Sequence, residues 1–314
     1  MNIYKSFEEI DYNSNSIITI GTFDGVHKGH RFIIAELKRL AKMYDLRPVV
    51  ITFDPHPQIV LNKRPGNPVR LITSLEEKII LLGSCSVSNL IVVNFTKEFS
   101  QLSPQSFIED ILLKKVGMKS LLIGHDHMIG RDRSGNGHVL TELGLKNNFT
   151  VEKVKQYNLN SVSISSTKIR TALGKSNMEL VNSMLGYPYI VIGTVIHGDA
   201  RGASLGFPTA NISVNNPNKI IPPDGVYLVT VEVDNKKYWG MANLGTRPTF
   251  KREFNKVLEV NIFNFNTDIY KEAVIVSFHE FLRHEKKFGN SEELLAQIRN
   301  DKKNCMELIK KLSN

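Results

Sequence analysis

The sequence predicts a parallel α/β domain over residues 1–183, followed by an antiparallel β domain with a terminal helix over residues 184–314. The chain of 314 residues is long enough for two ordinary domains. In its first part, short apolar runs alternate with segments of helical periodicity. From Tyr189 on, apolar runs follow one another with Gly, Pro, Asn and Asp between them, as in antiparallel sheets. This change of pattern near residue 184 predicts the boundary between the two domains.

The first domain contains apolar runs that we interpret as buried strands: IITIGTFD, PVVITFD, LIVVNF, SLLIGHD and FTVEKV. Helical patterns fill the gaps, and Ser74 followed by Glu77 fits a capping box. Continuous apolar strands separated by helices predict a parallel sheet covered on both faces, with ligands bound beyond the carboxyl ends of its strands. The polar residues expected at those ends are Asp24, His27, Asp54, His56, Asn94, Asp126 and His127.

The second domain contains the runs IVIGTVIHG, GVYLVTVEV, KYWGMANLG, VLEVNIFNF and EAVIVSF. They predict a closed or sandwiched antiparallel domain. It finishes with a helix from about Ser291. We expect the apolar side of this helix to carry Leu294, Leu295, Ile298, Met306, Ile309 and Leu312.

The composition limits the class of protein. The chain is 41% hydrophobic and 23% charged, which is typical of a globular protein with apolar cores. No apolar run approaches the ~18 residues of a membrane span, and the polar N-terminus resembles neither a secretory signal nor a transit peptide. We therefore expect a cytoplasmic protein with no membrane partner. Cys85 and Cys305 lack metal-type spacing, so we expect both to pack as small apolar groups.

The formal net charge of +9 indicates the kind of partner. The basic excess is spread over both domains, which suits phosphate-bearing ligands. A basic RNA-binding protein on the same scaffold would show clustered basic residues with interleaved aromatics, and the sequence shows neither. We expect no nucleic-acid partner, and the sequence leaves the oligomeric state open.

The stretch GTFDGVHKGH, residues 21–30, joins an apolar strand to a helical pattern. A strand, a glycine-rich turn and a helix start together aim free backbone N–H groups at an anion. His27 and His30 would lie on the same side of that helix start. They could be surface histidines, a metal pair or phosphate ligands, and no third ligand stands at an obvious metal spacing. The preceding strand and the glycines favour phosphate, with imidazole N–H groups and the helix N-terminus neutralising its charge.

A second candidate anion site is the segment SISSTKIR, residues 163–170. It offers hydroxyls ahead of a helix and an arginine, Arg170, on its first turn. The alternative is an ordinary helix N-cap.

The motifs GTFDGVHKGH, TFDPHP, IGHDHMIGRDRSGN and SISSTKIR, in this order, resemble the HxGH nucleotidyltransferases. They resemble more closely the adenylyltransferase part of the bifunctional riboflavin kinase/FAD synthetases, over essentially the whole first domain. The resemblance implies a Rossmann-like nucleotidyltransferase domain that transfers AMP from ATP to FMN and releases pyrophosphate.

The same resemblance implies the residues of this site. His27 and His30 would be catalytic and hold the triphosphate, and Asp54 and His56 would contact the flavin. His125, Met128 and Ile129 depart from the family's pattern in a flavin-facing loop. The ATP-binding residues implied are Gly21, Phe23, Asp24, His27, His30, Asp126, Ser166, Thr167 and Arg170.

The second domain carries GTVIHGDARGASLGFPTANI, residues 193–212, which could be a long hairpin rich in turn residues. However, Thr209 and Asn211 set a hydroxyl and an amide on the same side of an extended segment. These are hard oxygen donors of the kind that complete a Mg²⁺ shell beside nucleotide phosphates. No GxxxxGK[ST] motif is present in the sequence, which excludes a P-loop kinase.

GASLGFPTAN, followed by LEV (258–260) and LRHEKKF (282–288), resembles riboflavin kinase. The resemblance implies a six-stranded barrel, with MgATP at Thr209 and Asn211 and flavin toward the C-terminal helix, near Arg283 and Glu285. Ser204 stands where the family usually has a basic residue. The ATP-binding residues implied are Gly193, His197, Gly198, Gly206, Pro208, Thr209 and Asn211.

A kinase that acts on a primary hydroxyl needs a general base, because the hydroxyl must lose its proton as it attacks phosphorus. We expect one carboxylate pointing into the barrel near Thr209 and Asn211. In VLEVNIF, Glu259 shares a strand face with Val257, and the apolar Leu258, Val260 and Ile262 form the other. The alternative is an edge-strand or surface glutamate, and the resemblance places the base at Glu259.

The sequence therefore predicts a bifunctional transferase with Mg²⁺ as cofactor and ATP as co-substrate. Riboflavin would become FMN in the barrel, and FMN would become FAD in the first domain. The alternative is an HxGH adenylyltransferase for another phosphorylated substrate, with a non-catalytic barrel.

Overall fold

The structure is a computed structural model. It describes residues 1–61, 69–124, 129–131, 134–155, 157–159, 162–198, 206–214, 216–248 and 254–312. The chain divides into two compact units: Met1–Leu71 with Lys78–Ser166, and Ile72–Glu77 with Thr167–Asn314. The boundary predicted between residues 183 and 184 stays a prediction.

The first unit is built on one parallel sheet. Its strands are β1 (Asn2–Tyr4), β2 (Ser16–Ile20), β3 (Arg47–Asp54), β4 (Asn89–Asn94), β5 (Met118–Ile123) and β6 (Thr150–Lys153). They lie in the order β1-β4-β3-β2-β5-β6, and every neighbouring pair is parallel. The predicted parallel α/β class is confirmed. All five residues of β2 are buried, as a strand covered on both faces requires.

Helices connect these strands, and α1 (Lys28–Met43) follows β2. It buries Ile34, Leu37, Leu40 and Ala41, at the spacing that predicted it. The others are α2 (Pro57–Leu61), α3 (Leu75–Ser84), α4 (Lys97–Ser100), α5 (Pro104–Ser106), a π-helix (Phe107–Val116) and α6 (Gly137–Asn147). A short antiparallel pair, β7 (Asn158–Leu159) and β8 (Val162–Ser163), precedes α7 (Ser166–Leu173).

The edge strand β1 was missed by the sequence analysis. It has three residues, two of them exposed, so no apolar run marks it. Its backbone pairs with β4, and the Tyr4 hydroxyl donates to Asn89 Oδ1 at 3.3 Å. Pairing with a neighbour, rather than its own composition, makes this segment a strand.

The second unit is a closed barrel of six antiparallel strands. They are β9 (Tyr189–Ile196), β10 (Ala210–Ser213), β11 (Gly225–Val233), β12 (Lys236–Pro248), β13 (Phe254–Ile262) and β14 (Ala273–Arg283). Their order around the barrel is β10-β13-β12-β11-β14-β9. The implied six-stranded barrel is confirmed, and its sixth strand, β10, comes from the GFPTAN segment. Helices α8 (Met178–Leu185) and α9 (Ser291–Leu312) complete the unit.

The C-terminal helix α9 begins at Ser291 as predicted, but its apolar side differs from the prediction. Met306 and Leu312 are exposed, whereas Asp301 and Cys305 are buried. Asp301 is buried because it binds Arg283 through both carboxylate oxygens, with the shortest contact at 2.7 Å. A charged residue in an ion pair thus occupies a buried position of the helix, where apolar periodicity predicts an apolar side chain. The buried side of the helix therefore differs from the predicted one.

A buried ion pair lies inside the second unit. Lys219 Nζ approaches Glu77 Oε2 at 2.6 Å, and both side chains are at most 1% exposed. The ammonium also donates to the carbonyl oxygens of Ile72 and Ile190. The Glu77 carboxylate accepts from the backbone N–H groups of Ser74 and Ile192, which confirms the predicted capping box as part of a larger network. The segment Ile72–Glu77 therefore belongs to the barrel unit.

Replacing Lys219 with Met should lower the free energy of unfolding of the second unit by about 3–5 kcal/mol, because the Glu77 carboxylate would stay buried without its cation. Denaturant unfolding followed by the fluorescence of Trp239, which lies in this unit, measures the change. The control Lys237→Met removes an exposed partner of Glu232 and should cost less than about 1 kcal/mol. Effects of equal size in the two variants would contradict a stabilising buried pair.

Candidate active sites

The turn that follows β2 has a strained backbone. Phe23, Gly25 and Val26 have φ angles of 46°, 84° and 33°. Glycine adopts such values readily, but a β-branched residue such as Val26 does so rarely. Phe23 and Val26 are both buried, so the surrounding core holds the turn in this shape. The predicted run IITIGTFD is therefore a strand only to Ile20 and a tight turn beyond it.

The two histidines of this turn pack against each other. His27 is the N-cap of α1, and its Nδ1 accepts a hydrogen bond from the His30 backbone N–H at 3.3 Å. The rings are stacked, with centroids 3.6 Å apart and planes 16° from parallel. Because Nδ1 of His27 accepts, its ring proton lies on Nε2, which can donate to a ligand. The prediction that both histidines lie on one side of the helix start is confirmed.

Burial disfavours the charged form of both rings. Burial lowers the pKa of His27 to about 4, although Asp24 opposes the shift. Burial also holds the pKa of His30 well below its usual range, and the charges of His27 and Lys78 add to this. Among the described residues, His30 Nδ1 is buried without a hydrogen-bond partner. The histidines can therefore offer N–H donors to a phosphate, but they bring no positive charge of their own.

The SISSTKIR segment reaches this turn through one residue. Ser166 Oγ donates to the carbonyl oxygen of Asp24 at 3.0 Å. Thr167 and Arg170 follow on α7, in the second unit. The helix begins at Ser166, so Arg170 is its fifth residue and lies on the second turn. The prediction of an arginine on the first turn was wrong because the serine is already helical.

The other residues predicted for this site lie near the carboxyl edge of the sheet. Gly21 packs against the Phe23 ring, which a Cβ would approach to 3.2 Å. Asp54 is the last residue of β3, and His56 Nδ1 accepts from the backbone of Gln58. Asn94 ends β4 and is exposed. The remaining predicted residues, His125, Asp126, His127 and Met128, lie outside the described residues.

The sequence analysis missed a buried lysine at this edge. Lys78, on α3, is 4% exposed and donates to Thr52 Oγ1 at 3.3 Å and to the Phe53 carbonyl oxygen at 3.2 Å. A signal was available, because Lys78 precedes the buried Leu81 and Leu82 by three and four residues. A lysine on the buried stripe of an amphipathic helix is unusual enough to be singled out.

Three aromatic side chains at the same edge were also missed. Phe53, Phe95 and Phe99 form mutual contacts, with ring centroids 5.5 to 6.1 Å apart. All three are partly exposed, and Phe53 and Phe99 pack against the core of the first unit. They stand beside Asp54 and offer an apolar surface to a planar ligand.

The second candidate site lies on the outer face of the barrel. Asn211 in β10 stands directly opposite Glu259 in β13, and Asn243 in β12 stands opposite Glu259 on its other side. Residues directly opposite in antiparallel strands project on the same face. One carboxylate is thus flanked by two amides on neighbouring strands.

The prediction that Glu259 points into the barrel was wrong. Its strand neighbours Leu258 and Val260 are at most 2% exposed, as are their partners Leu244 and Ala242. This apolar face fills the interior, so Glu259, partly exposed, faces outward. The shared face of Val257 and Glu259 was predicted correctly, because alternation alone determines it. Barrel closure decides which face points inward.

Contacts from neighbouring strands and turns hold the PTAN segment. Asn261 Nδ2 donates to the Pro208 carbonyl oxygen at 2.7 Å. Gly198 lies under Asn211, because a Cβ there would overlap the Asn211 amide. Thr209 directly precedes β10, two residues before Asn211. Asn261 has no motif of its own and was missed.

The other predicted kinase residues make contacts with other parts of the second unit. His197 stacks on Tyr270 with ring centroids 3.6 Å apart. Gly193 lies within β9 opposite Val274, and Gly206 has φ 79° with open space beside it. Ser204 lies outside the described residues.

Arg283 and Glu285 are the residues of the second unit that were predicted to contact flavin. Arg283 binds Asp301 on α9, so its guanidinium already fixes that helix to β14. Glu285 covers Gly245, which pairs with Val257 next to Glu259. Burial and the charge of Asp224 raise the pKa of Glu285.

A metal site needs several ligating side chains close together. Across the described ranges, no group of three or more His, Cys, Asp or Glu side chains could hold a metal ion. The predicted Mg²⁺ donors are a hydroxyl and an amide with one carboxylate nearby. They are not a group of three His, Cys, Asp or Glu side chains, so this finding does not bear on them. Both cysteines are free thiols; Cys305 is buried as predicted, and Cys85 is partly exposed.

Comparison with known proteins supports two catalytic units. Residues 9–168 match the family described as FAD synthetase, and residues 185–309 match the family described as riboflavin kinase. Within the described parts of the chain, no helix has the length and apolar character needed to cross a membrane.

Curated relatives match along nearly the whole chain. The bifunctional riboflavin kinase/FMN adenylyltransferase of Bacillus subtilis strain 168 is 39% identical over 303 residues, 96% of this chain and 94% of the relative. The same enzyme of Listeria monocytogenes is 38% identical over 302 residues, with 96% and 94% covered. That of Escherichia coli K12 is 36% identical over 294 residues, with 93% and 92% covered.

A solved structure has the same fold. It is described as a macrolide-efflux protein from Streptococcus pneumoniae and is 33% identical to this chain. The TM-score is 0.85, with 96% of this chain and 97% of that chain covered.

The His27 ring should titrate at about pH 4 in the folded protein, because burial penalises its charged form. Since the unfolded ring titrates at about 6.5, stability should fall as the pH drops from about 6.5 to about 4, by at most ~1.4 kcal/mol per pH unit from this group. NMR of the histidine rings measures the titration, and His27→Gln identifies the resonance. Titration of that resonance near its ordinary pKa would contradict the burial of the ring.

Proposed function

The chain belongs to the family of bifunctional riboflavin kinase/FMN adenylyltransferases, and we propose which residues carry each of its two activities. It phosphorylates riboflavin to FMN and transfers AMP from ATP to FMN, which gives FAD and pyrophosphate. ATP is the co-substrate of both steps. The match to riboflavin kinase over residues 185–309 argues against the alternative of a non-catalytic barrel.

The stacked His27–His30 pair carries the assignment of adenylyl transfer to the first unit. The His27 Nε2–H and the N-terminus of α1 supply donors to the triphosphate of ATP, and a phosphate can meet the unpartnered His30 Nδ1 if that atom carries the ring proton. Ser166 braces the turn from the other side through Asp24. Asp126, Thr167 and Arg170 remain proposed ATP ligands on the strength of the family motifs.

FMN brings a planar, apolar ring system and a phosphate to this site. The Phe53, Phe95 and Phe99 surface suits the ring system, since aromatic side chains pack well on such a ligand. Asp54 and His56 flank that surface. The phosphate of FMN would then reach the α-phosphorus of ATP at the histidine pair.

We place the kinase step on the outer face of the barrel, and the pairing of Asn211 with Glu259 supports this proposal. Glu259 accepts the proton of riboflavin's terminal hydroxyl as that oxygen attacks the γ-phosphorus of ATP. The bond between the γ-phosphorus and the leaving oxygen of ADP breaks, and ADP carries the electron pair. The products are ADP, FMN and a proton held on Glu259.

Thr209 and Asn211 would hold Mg²⁺, and hydroxyl and amide oxygens beside a carboxylate are ligands that this ion accepts. When bound, Mg²⁺ would neutralise charge on the ATP phosphates. In the protein itself, Asn261 holds the backbone of Pro208 and Gly198 admits the Asn211 amide. The donors are therefore supported by a second layer of contacts.

We place the enzyme in the cytoplasm, where ATP is available and thiols such as Cys85 and Cys305 stay reduced. We propose small-molecule partners alone, with neither nucleic acid nor a membrane, because the basic excess is spread along the chain without a cluster.

Replacing His30 with Ala should lower FAD formation from FMN by ~10²–10³-fold, because one donor to the triphosphate is lost. Riboflavin phosphorylation should stay within about twofold of the unchanged protein, since the kinase residues lie in the other unit. Chromatography of flavins over time measures both activities in one reaction. The control is His138→Ala, which removes an exposed histidine of the first unit. Equal loss of both activities in folded His30→Ala protein would contradict the assignment.

Replacing Glu259 with Gln should lower riboflavin phosphorylation by ~10²–10⁴-fold, because the amide keeps the shape but cannot accept the proton. Supplied FMN should still be converted to FAD. Turnover with riboflavin and MgATP, together with riboflavin binding by fluorescence, separates chemistry from binding. Glu307→Gln, an exposed change on α9, is the matched control. Near-unchanged phosphorylation by the Glu259 variant would remove this residue from the mechanism.

A further inference from the structure

Lys78 places a buried ammonium at the carboxyl edge of the parallel sheet. Its Nζ donates to Thr52 Oγ1 and to the Phe53 carbonyl oxygen, at the end of β3. Among the described residues, no carboxylate lies within ion-pair distance of it, and both partners are neutral oxygens. The charge is therefore held in place without being cancelled by a direct contact.

The charges around Lys78 belong to the adenylyl-transfer site. The charges of Asp24 and Asp54 favour the charged form of Lys78 and act to raise its pKa. On the other side, its charge repels a proton on His30. These groups come from the turn after β2, the end of β3 and the start of α1. Lys78 thus lies at the end of β3, beside Asp54, and its charge interacts with Asp24 and His30, although it comes from a different helix.

The reaction accumulates negative charge at this place. An oxygen of the FMN phosphate forms a bond to the α-phosphorus of ATP, and the bond from that phosphorus to the β-phosphate oxygen breaks. Pyrophosphate leaves with the electron pair, so two anions approach and a third departs. Burial lowers the pKa of both histidines, which disfavours their charged forms, so they can offer ring N–H groups to phosphate but add little positive charge.

We propose that the Lys78 ammonium supplies a fixed positive charge to the adenylyl-transfer step, stabilising the negative charge around the α-phosphorus as the adenylyl group passes from pyrophosphate to FMN. This inference rests on the proposed placement of adenylyl transfer at the His27–His30 pair. Lys78 acts through space, and Thr52 and Phe53 hold its Nζ in position.

The effect of removing Lys78 on stability distinguishes a role in the reaction from a role in stabilising the fold. Burial lowers the pKa of Lys78 despite the two nearby carboxylates, so its charged form is less favourable in the folded protein than in water. Thr52 Oγ1 donates to the Thr22 carbonyl and keeps a partner without Lys78. A neutral side chain of similar length should therefore leave stability unchanged or raise it, whereas a structural lysine would lower stability when removed.

The experiment compares Lys78→Met, Lys78→Arg and Lys114→Met in the full chain. For Lys78→Met we expect kcat for FAD formation to fall by ~10²-fold, with a smaller change in KM for ATP and an unchanged or higher Tm. Riboflavin phosphorylation should stay within about twofold. Lys78→Arg should keep more adenylyl transfer than Lys78→Met because it keeps the charge. Lys114→Met, an exposed change in the first unit, should alter neither activity.

A fall of less than about tenfold in kcat for Lys78→Met would overturn the proposal. So would a lower Tm with parallel loss of both activities, which indicates a structural role, or equal activity of the Met and Arg variants, which indicates that charge does not matter. If His30→Ala abolishes FAD formation while Lys78→Met does not, this inference fails and the site assignment stands. If His30→Ala has no effect, the site assignment itself fails.

Discussion

Both candidate sites depend on one constraint: the apolar faces of the strands must be buried, so polar chemistry is left to the places where that burial ends. In the first unit, β2 is buried along its whole length, and the polar groups collect beyond its carboxyl end. In the second unit, Leu258 and Val260 fill the barrel, and the intervening Glu259 is forced onto the outer face. Each site therefore lies where the buried apolar core of its unit ends.

Burial also determines the electrostatics of the first site. It lowers the pKa of His27 and His30, and the turn that carries them has positive φ angles at Phe23 and Val26. The ammonium of Lys78 is held by two neutral oxygens, and burial lowers its pKa. Strained backbone and buried charge are features that a protein retains where function requires them. Their meeting at one sheet edge is consistent with a phosphate-handling site.

Much of this was predictable from local sequence. The strand and helix periods gave the two fold classes, and the His27–His30 spacing gave a shared face at a helix start. The capping box at Ser74 and Glu77 was also predicted, but its carboxylate has a second partner, Lys219, far along the chain. Contacts between distant segments leave no periodic trace, so neither that ion pair nor the Asp301 contact that turns α9 could be predicted.

The sequence by itself determined which residues share a face, because the periods of strand and helix are properties of the backbone. It placed Glu259 with Val257, and it placed the histidines together. The tertiary structure decided where each face points and what meets it. Closure of the barrel turned Glu259 outward, and the packing of α3 brought Lys78 to the end of β3. These outcomes depend on how separate elements fill space together, and no single segment carries that information.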